Sequence, residues 1–272
     1  MKAFEEAHER TGGQGKGGCY YQPHNPPRAH ASPFQPADPA DPAAVVTPAA
    51  VLLPQDEIGN SPTQPLLFPS GSRFAGQLAL PDMRYGGINR IFLEKVRGVW
   101  QGCAMRFTQG LGAGPNRIYF GPGGSLFVGG IGGRHASTWS WRNPSGEATF
   151  QSLERLDPTD VPVFEIDRME AVPGGFVLHF TEPVASSELE KTTAYTVMQW
   201  TYRATPVYGG PKVDEHALTV STARALPDGK SVQLQMDGLK QGYVVRLRCD
   251  PIAISGRAIW SGEVWYTLNQ LP

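Results

Sequence analysis

Residues Gly76–Gly133 read GQLALPDMRYGGINRIFLEKVRGVWQGCAMRFTQGLGAGPNRIYFGPGGSLFVGGIGG. Short alternating runs are separated by turns rich in Gly, Pro and Asn. Cys103, Met105 and Phe107 alternate with Ala104, Arg106 and Thr108, which predicts a strand with one apolar face. Ile118 and Phe120 alternate in the same way with Arg117 and Tyr119. Leu126 and Val128 follow Gly121-Pro122-Gly123-Gly124, where glycine supplies the positive φ of a tight hairpin. Gly129, Gly130, Gly132 and Gly133 leave little side chain, as close backbone packing requires. About four short strands in roughly 40–50 residues is the pattern of a β-propeller blade. Residues 49–150 are therefore expected to form a partial β-propeller of about one to two blades.

Working outward, residues 162–272 carry a second β pattern. Phe176, Leu178 and Phe180 alternate with Val177, His179 and Thr181 after Pro173-Gly174-Gly175, predicting a hairpin with the run Phe164–Met169. Val197 and Gln199 alternate with Met198 and Trp200. Val232, Leu234 and Met236 lead through Asp237-Gly238 to a run in which Tyr243, Val245, Leu247 and Cys249 share a face. This spacing, without a sustained helical period, predicts an immunoglobulin/fibronectin III-like β-sandwich. Leu239-Lys240-Gln241-Gly242-Tyr243 reads as a tyrosine corner, with the Tyr243 hydroxyl bonded to backbone upstream. The fold class is thus all-β. A sandwich of about 110 residues is expected to fold alone. A blade remnant, with bare edge strands, is expected to be less stable or to self-associate.

Residues 1–48 are low in apolar periodicity and include Pro-Ala-Asp-Pro-Ala-Asp-Pro at 36–42, so they are expected to form a disordered Pro/Ala/Gly-rich segment. The 272-residue chain has a net charge of −1, which gives no electrostatic footprint for nucleic acid or an anionic membrane. No run of about 18 apolar residues is present, so no membrane span is expected. The start, Met1-Lys2-Ala3-Phe4-Glu5-Glu6, has no signal-peptide character and read alone implies a cytoplasmic chain. Of three cysteines, Cys103 and Cys249 read as buried small hydrophobes, and Cys19 lies in a Gly-rich tail. There is no Cys-x-x-Cys-His haem-attachment motif. Cys19, His24 and His30 match no zinc spacing, so no metal ligand is assigned.

Among chemistry-bearing residues, Asn60, Ser61 and Gln64 form a polar loop that would line the central cleft of a complete propeller. The alternative is a turn whose side chains satisfy local backbone. Asp82 and Arg90 flank Gly86-Gly87, and an ion pair or blade-to-blade hydrogen bonds fit them better than catalysis. His135 precedes Trp139 and Trp141, a loop composition suited to sugar stacking or to burial at a domain junction. His179 reads as a solvated strand residue. Asp167 with Glu170, and Asp214 with Glu215, are carboxylate pairs without a cleft to place them. Gly112, Gly114 and Gly121 make no nucleotide loop.

Several segments together resemble bacterial proteins related to the glucose/sorbosone (PQQ-dependent sugar) dehydrogenases, often fused to cytochrome c or haem-binding modules. They are Leu53–Pro62 (LPQDEIGNSP), Ile91–Val96 (IFLEKV), Asn116–Pro122 (NRIYFGP), Tyr208–Glu215 (YGGPKVDE) and Trp260–Asn269 (WSGEVWYTLN). The likeness spans residues 49–272 and implies the C-terminal end of such a protein: the last part of the propeller, then the immunoglobulin-like domain. It implies a periplasmic or secreted location, a sugar or polysaccharide fragment as partner, and PQQ, calcium or haem in the full-length protein. The blades that carry catalytic and cofactor residues in that family have no counterpart here, so no catalytic residue is carried over and no cofactor is assigned to this chain. Gly123 stands where such blades usually have an acid. Three readings follow: a C-terminal fragment without independent turnover, a non-catalytic glycan- or protein-binding module, or a truncated remnant with no independent role.

Overall fold

The computed structural model describes residues 48–55, 57–84, 86–131, 151–203 and 211–272. The 1–48 segment except its last residue, the Gly132-Gly133 pair, His135 and Trp139 lie outside the described residues. The rest is all-β, in antiparallel sheets of which none is closed among the described residues.

Fifteen strands are present among the described residues. The first seven are β1 (Leu66–Leu67), β2 (Leu78–Asp82), β3 (Gly87–Val96), β4 (Val99–Thr108), β5 (Gly114–Phe120), β6 (Leu126–Ile131) and β7 (Gln151–Leu156). Then come β8 (Ile166–Val172), β9 (Gly175–Phe180), β10 (Tyr195–Tyr202) and β11 (Lys212–Leu218). The last four are β12 (Val220–Ala225), β13 (Ser231–Met236), β14 (Tyr243–Cys249) and β15 (Glu263–Leu268). One helical turn, α1, spans Ser186–Leu189. The hairpins expected around Gly121–Gly124 and Pro173–Gly175 form, and β3–β4 makes a further one. In β8–β9, Val172 faces Gly175 across Pro173-Gly174. In β3–β4, Val96 faces Val99 across Arg97-Gly98, both with positive φ as a two-residue turn of this kind needs.

The strands of residues 49–150 do not pair as one blade. Strands β5-β6-β7 make a separate three-stranded sheet, while β1 to β4 run into an eight-stranded sheet ordered β1-β2-β3-β4-β15-β14-β10-β11. The join is the pairing of β4 with β15, where Ala104 faces Trp265 and Gly102 faces Thr267. Glycine at 102 is required by the neighbour on the other side, β3: a Cβ there would lie 1.9 Å from the Phe92 carbonyl oxygen. A third sheet, β12-β13-β9-β8, packs against the inner face of the large one.

The main core lies between those two sheets and includes Met169, Phe176, Leu178, Val232, Leu234, Val245, Leu247 and Tyr266. A second core joins the three-stranded sheet to β1–β3 through Phe68, Phe74, Ile88, Ile118, Leu126 and Val128. A third covers the outer face of the large sheet, where Ile58 sits with Ile91, Ala104, Trp200, Val244 and Trp265. Burial of both faces explains why neighbours such as Val244 and Val245 are both fully buried, although strict alternation predicts one of them outside.

Arg90 lies on β3 where the main core meets the second. Its side chain is wholly buried, with its guanidinium 4.0 Å from the Phe74 ring centroid. It donates to Gln77 Oε1 (2.8 Å), Glu165 Oε2 (2.9 Å), and the carbonyl oxygens of Asp167 (2.9 Å) and Ile166 (2.5 Å). Burial pushes Glu165 up and Arg90 down from their ordinary values, each opposed by the attraction of the other. The pair therefore fixes geometry more than it adds net stability.

The Tyr243 hydroxyl donates to Asp214 Oδ2 at 2.7 Å on the surface, not to upstream backbone. Tyr195, at the start of β10, makes the buried bond of that kind: its hydroxyl donates to the Leu189 carbonyl oxygen, six residues back, at 2.7 Å. The last carbonyls of a helical turn lack donors within it, and the Tyr195 hydroxyl is placed to supply one to Leu189.

Two outcomes follow. Arg90→Met is expected to cost about 3–5 kcal/mol in urea unfolding because Glu165 stays buried and unpaired, and adding Glu165→Leu recovers part of it, the Ile166 carbonyl still lacking its donor. Tyr195→Phe is expected to cost about 1–2 kcal/mol, while Tyr243→Phe leaves the urea midpoint unchanged.

Candidate functional site

The residues that the sequence brings forward are mostly structural anchors. Asp82 is 1% exposed. Its Oδ2 accepts from the backbone N–H groups of Asn60 (2.7 Å) and Ser61 (2.8 Å), and its Oδ1 from that of Arg84 (3.0 Å). The Asn60–Ser61 loop is thus held by a buried carboxylate. Gln64 is half-buried on the segment leading to β1. Arg90 pairs with Glu165 and not with Asp82. His135 and Trp139 lie outside the described residues.

His179, read as a solvated strand residue, is largely buried and sits in a polar ladder across the outer face of β8, β9 and β13. Its Nε2 is 3.2 Å from Glu170 Oε2 and its Nδ1 is 2.7 Å from Ser231 Oγ. The composition is that of an acid–His–Ser triad, but the arrangement differs. The Ser231 hydroxyl donates to Asp228 Oδ2 at 2.6 Å, and Ser231 is 1% exposed. A serine whose proton is held by a second carboxylate and whose oxygen is covered cannot approach a substrate carbon. The ladder fixes strand register, with Ser231 directly opposite His179.

The two cysteines are as inert as read: burial pushes the thiols of Cys103 and Cys249 up to about 12.

Among the described residues a recess of about 370 Å³ lies at the end of β4, β15 and β14. Its walls include Arg106, Arg248, Asp250, Trp260, Ser261 and Glu263. Arg248 lies opposite Glu263 across the β14–β15 pair. Arg246 Nη2 holds Glu263 Oε1 at 2.8 Å. Arg106 donates to the Glu57 carbonyl oxygen, and its guanidinium lies 5.5 Å from the Trp265 ring centroid. The loop before β15 is fixed by two backbone bonds, Trp260 N–H to Phe164 O and Cys249 N–H to Gly262 O, each 2.8 Å. A Cβ on Gly262 would sit 1.9 Å from the Cys249 oxygen, so glycine lets this loop approach β14. Trp260 is 46% exposed. The Arg248 guanidinium and Asp250 carboxylate make no ion pair with other described residues.

The recess combines planar guanidinium donors, carboxylate acceptors and a flat indole face. Those groups match the hydroxyls and the apolar C–H face of a pyranose. Sequence reading missed it because its residues come from strands far apart in the chain; the signal on offer was the outward alternation of Arg106 and Arg248. Among the described residues no three His, Cys, Asp or Glu side chains converge to hold a metal. Among them, too, no helix is long and apolar enough to cross a membrane. Comparison with known protein families, with curated proteins and with solved structures found no match.

The ladder yields a pH test. Hydrogen bonding from His179, with Arg168 beside it, holds Glu170 down at about 2 against an ordinary value of 4.5. Its folded-state value is depressed, so its contribution is complete above the unfolded value and is lost as pH falls toward 2. The stability advantage of the wild type over Glu170→Gln is expected to be full at pH 5 and to shrink steadily below about pH 4.5 in acid titrations of the melting temperature.

Proposed function

We propose that this chain is a non-catalytic carbohydrate-binding module from a secreted or periplasmic sugar-dehydrogenase-like protein. The observation that carries the reading is the recess built from Arg106, Arg248, Asp250, Trp260 and Glu263. An exposed indole beside Arg248 and Asp250, at the ends of interior strands of the large sheet, supplies both stacking and directional hydrogen bonds. The resemblance of residues 49–272 to glucose/sorbosone dehydrogenase relatives supplies the ligand class. In that setting PQQ, calcium or haem, with the redox step, would belong to blades upstream.

The finer fold reading goes with it. An immunoglobulin-like sandwich over residues 162–272 is supported by β8, β9 and β13 in one sheet facing β10, β14 and β15 in the other. The partial-propeller reading of residues 49–150 rests on turn pattern and resemblance, since β2–β4 extend the sandwich's own sheet.

Titration of the full chain with neutral and uronic-acid oligosaccharides, read by indole fluorescence and calorimetry, tests the function. Saturable binding is expected, weakened about tenfold or more by Trp260→Ala and by Arg248→Ala with unchanged melting temperatures. Absence of binding to every sugar in the panel, or affinity indifferent to both substitutions, overturns the proposal.

A further inference from the structure

The three sheets have six edges among the described strands, and five are protected. β1 has only two residues. β11 carries Lys212, Asp214 and Glu215, and its pairing with β10 shifts register. β12 is bulged between Val220 and Thr222, and Glu190 from the end of α1 accepts a bond from its Ala225 N–H. β8 is bulged and covered by side chains of β3 and β4. β5 begins with Gly114-Pro115 and is bulged before Arg117. Charges, proline, bulges, short length and covering elements are the devices that keep edges from pairing with another chain.

Of these devices β7 has charge alone among the described residues, the neighbouring and opposite Glu154 and Arg155. Gln151-Ser152-Leu153-Glu154-Arg155-Leu156 contains no proline, glycine or lysine. It pairs with β6 without a break from Ile131↔Gln151 to Leu126↔Leu156. Among the described residues nothing forms a backbone bond to its outer side. The outward face next to this edge is mixed: Leu153 is 80%, Tyr119 68% and Ile131 47% exposed, and Gln151 and Arg155 share the face, with the Arg155 guanidinium 5.9 Å from the Phe127 ring centroid. Phe127 lies directly between Tyr119 and Arg155 in register.

We propose that β7 pairs antiparallel with β7 of a second copy of this chain, joining two three-stranded sheets into one of six. The charge pattern selects the register. Centring the two-fold on Leu153 puts Leu153 opposite Leu153 of the second copy, Gln151 opposite Arg155, and Ser152 opposite Glu154. Centring on Glu154 or Arg155 sets like charges face to face, which destabilises a cross-strand pair. Centring on Ser152 places Leu153 against Gln151 and forfeits the apolar contact. With Leu153 on the axis, the two outward faces become continuous. The paired strands and this face are smaller than a standard interface of about 1,200–2,000 Å², so association is weak and visible only at high concentration.

Sedimentation equilibrium of the full chain, loaded from roughly 5 to 300 µM, tests this. The mass is expected to rise from 29.5 kDa toward twice that value. Leu153→Lys, which sets two ammonium groups on the axis, is expected to keep it at 29.5 kDa throughout. Gln151→Glu, now opposite Arg155, is expected to tighten the dimer about two- to fivefold, and Gln151→Arg to weaken it by a similar factor. Leu153 and Gln151 are exposed, so melting temperatures of all variants should match the wild type. A wild type that stays monomeric at the top concentration overturns the proposal. So does a Leu153→Lys protein that still dimerises, or Gln151 variants that shift association in the same direction.

Discussion

The edge of strand β8 is the constraint on which the arrangement depends. An edge strand offers backbone groups that must find partners once they are buried. Here side chains from β3, β4 and the residue before β2 reach them. Arg90 takes the carbonyls of Ile166 and Asp167, Gln77 also takes that of Asp167 at 3.1 Å, and Cys103 points its thiol at that of Met169. Glu94 Oε1 accepts the Ala171 N–H at 2.8 Å, and burial pushes this carboxyl up from its ordinary value. The same hairpin extends the opposite sheet through the β4–β15 pairing. Residues 87–108 therefore close one side of the sandwich by hydrogen-bonding both of its sheets.

This arrangement places the other features. The outer face of the large sheet is covered at one end by the segment around Ile58, which Glu57 pins through Trp265 Nε1 (2.7 Å) and Lys212. Where that cover stops, the row of Arg106, Glu263 and Arg248 meets water and the recess opens. Arg106, Arg248 and Glu263 are strand residues on a sheet buried on its other face, and the loop that carries Trp260 is tied down by its backbone bonds to Phe164 and Cys249. The three-stranded sheet is joined to this platform through the second core and presents the unbroken edge of β7.

Much of this was legible in the sequence, and what was not has definite causes. Alternation located the strands and the turns, including Gly121–Gly124 and Pro173–Gly175, because side-chain period and glycine φ are local properties. It could not choose partners: Ala104 and Trp265 are 161 positions apart, and nothing local says that β4 meets β15. Tyr243 fitted the corner motif by position, yet only Tyr195 follows a helical turn whose carbonyl needs a donor. Asn60, Ser61, Asp82 and Arg90 stood out as polar groups, but their partners differ from the alternatives weighed: the Asp82 carboxylate holds the backbone N–H groups of Asn60 and Ser61, and Arg90 pairs with Glu165. Trp260 appeared in the sequence reading only within a matching segment, since exposure and assembly across three strands are properties of the folded chain.

The central claim is that the hairpin of residues 87–108 and the sandwich fold as one unit. Native-state hydrogen exchange measures it most directly. The account predicts that the amides of Gly102–Ala104 in β4 exchange with the same free energy, and the same denaturant dependence, as those of Val232 and Leu234 in β13. Exchange of β3 and β4 through a separate opening of lower free energy, while β13 stays protected, would contradict it.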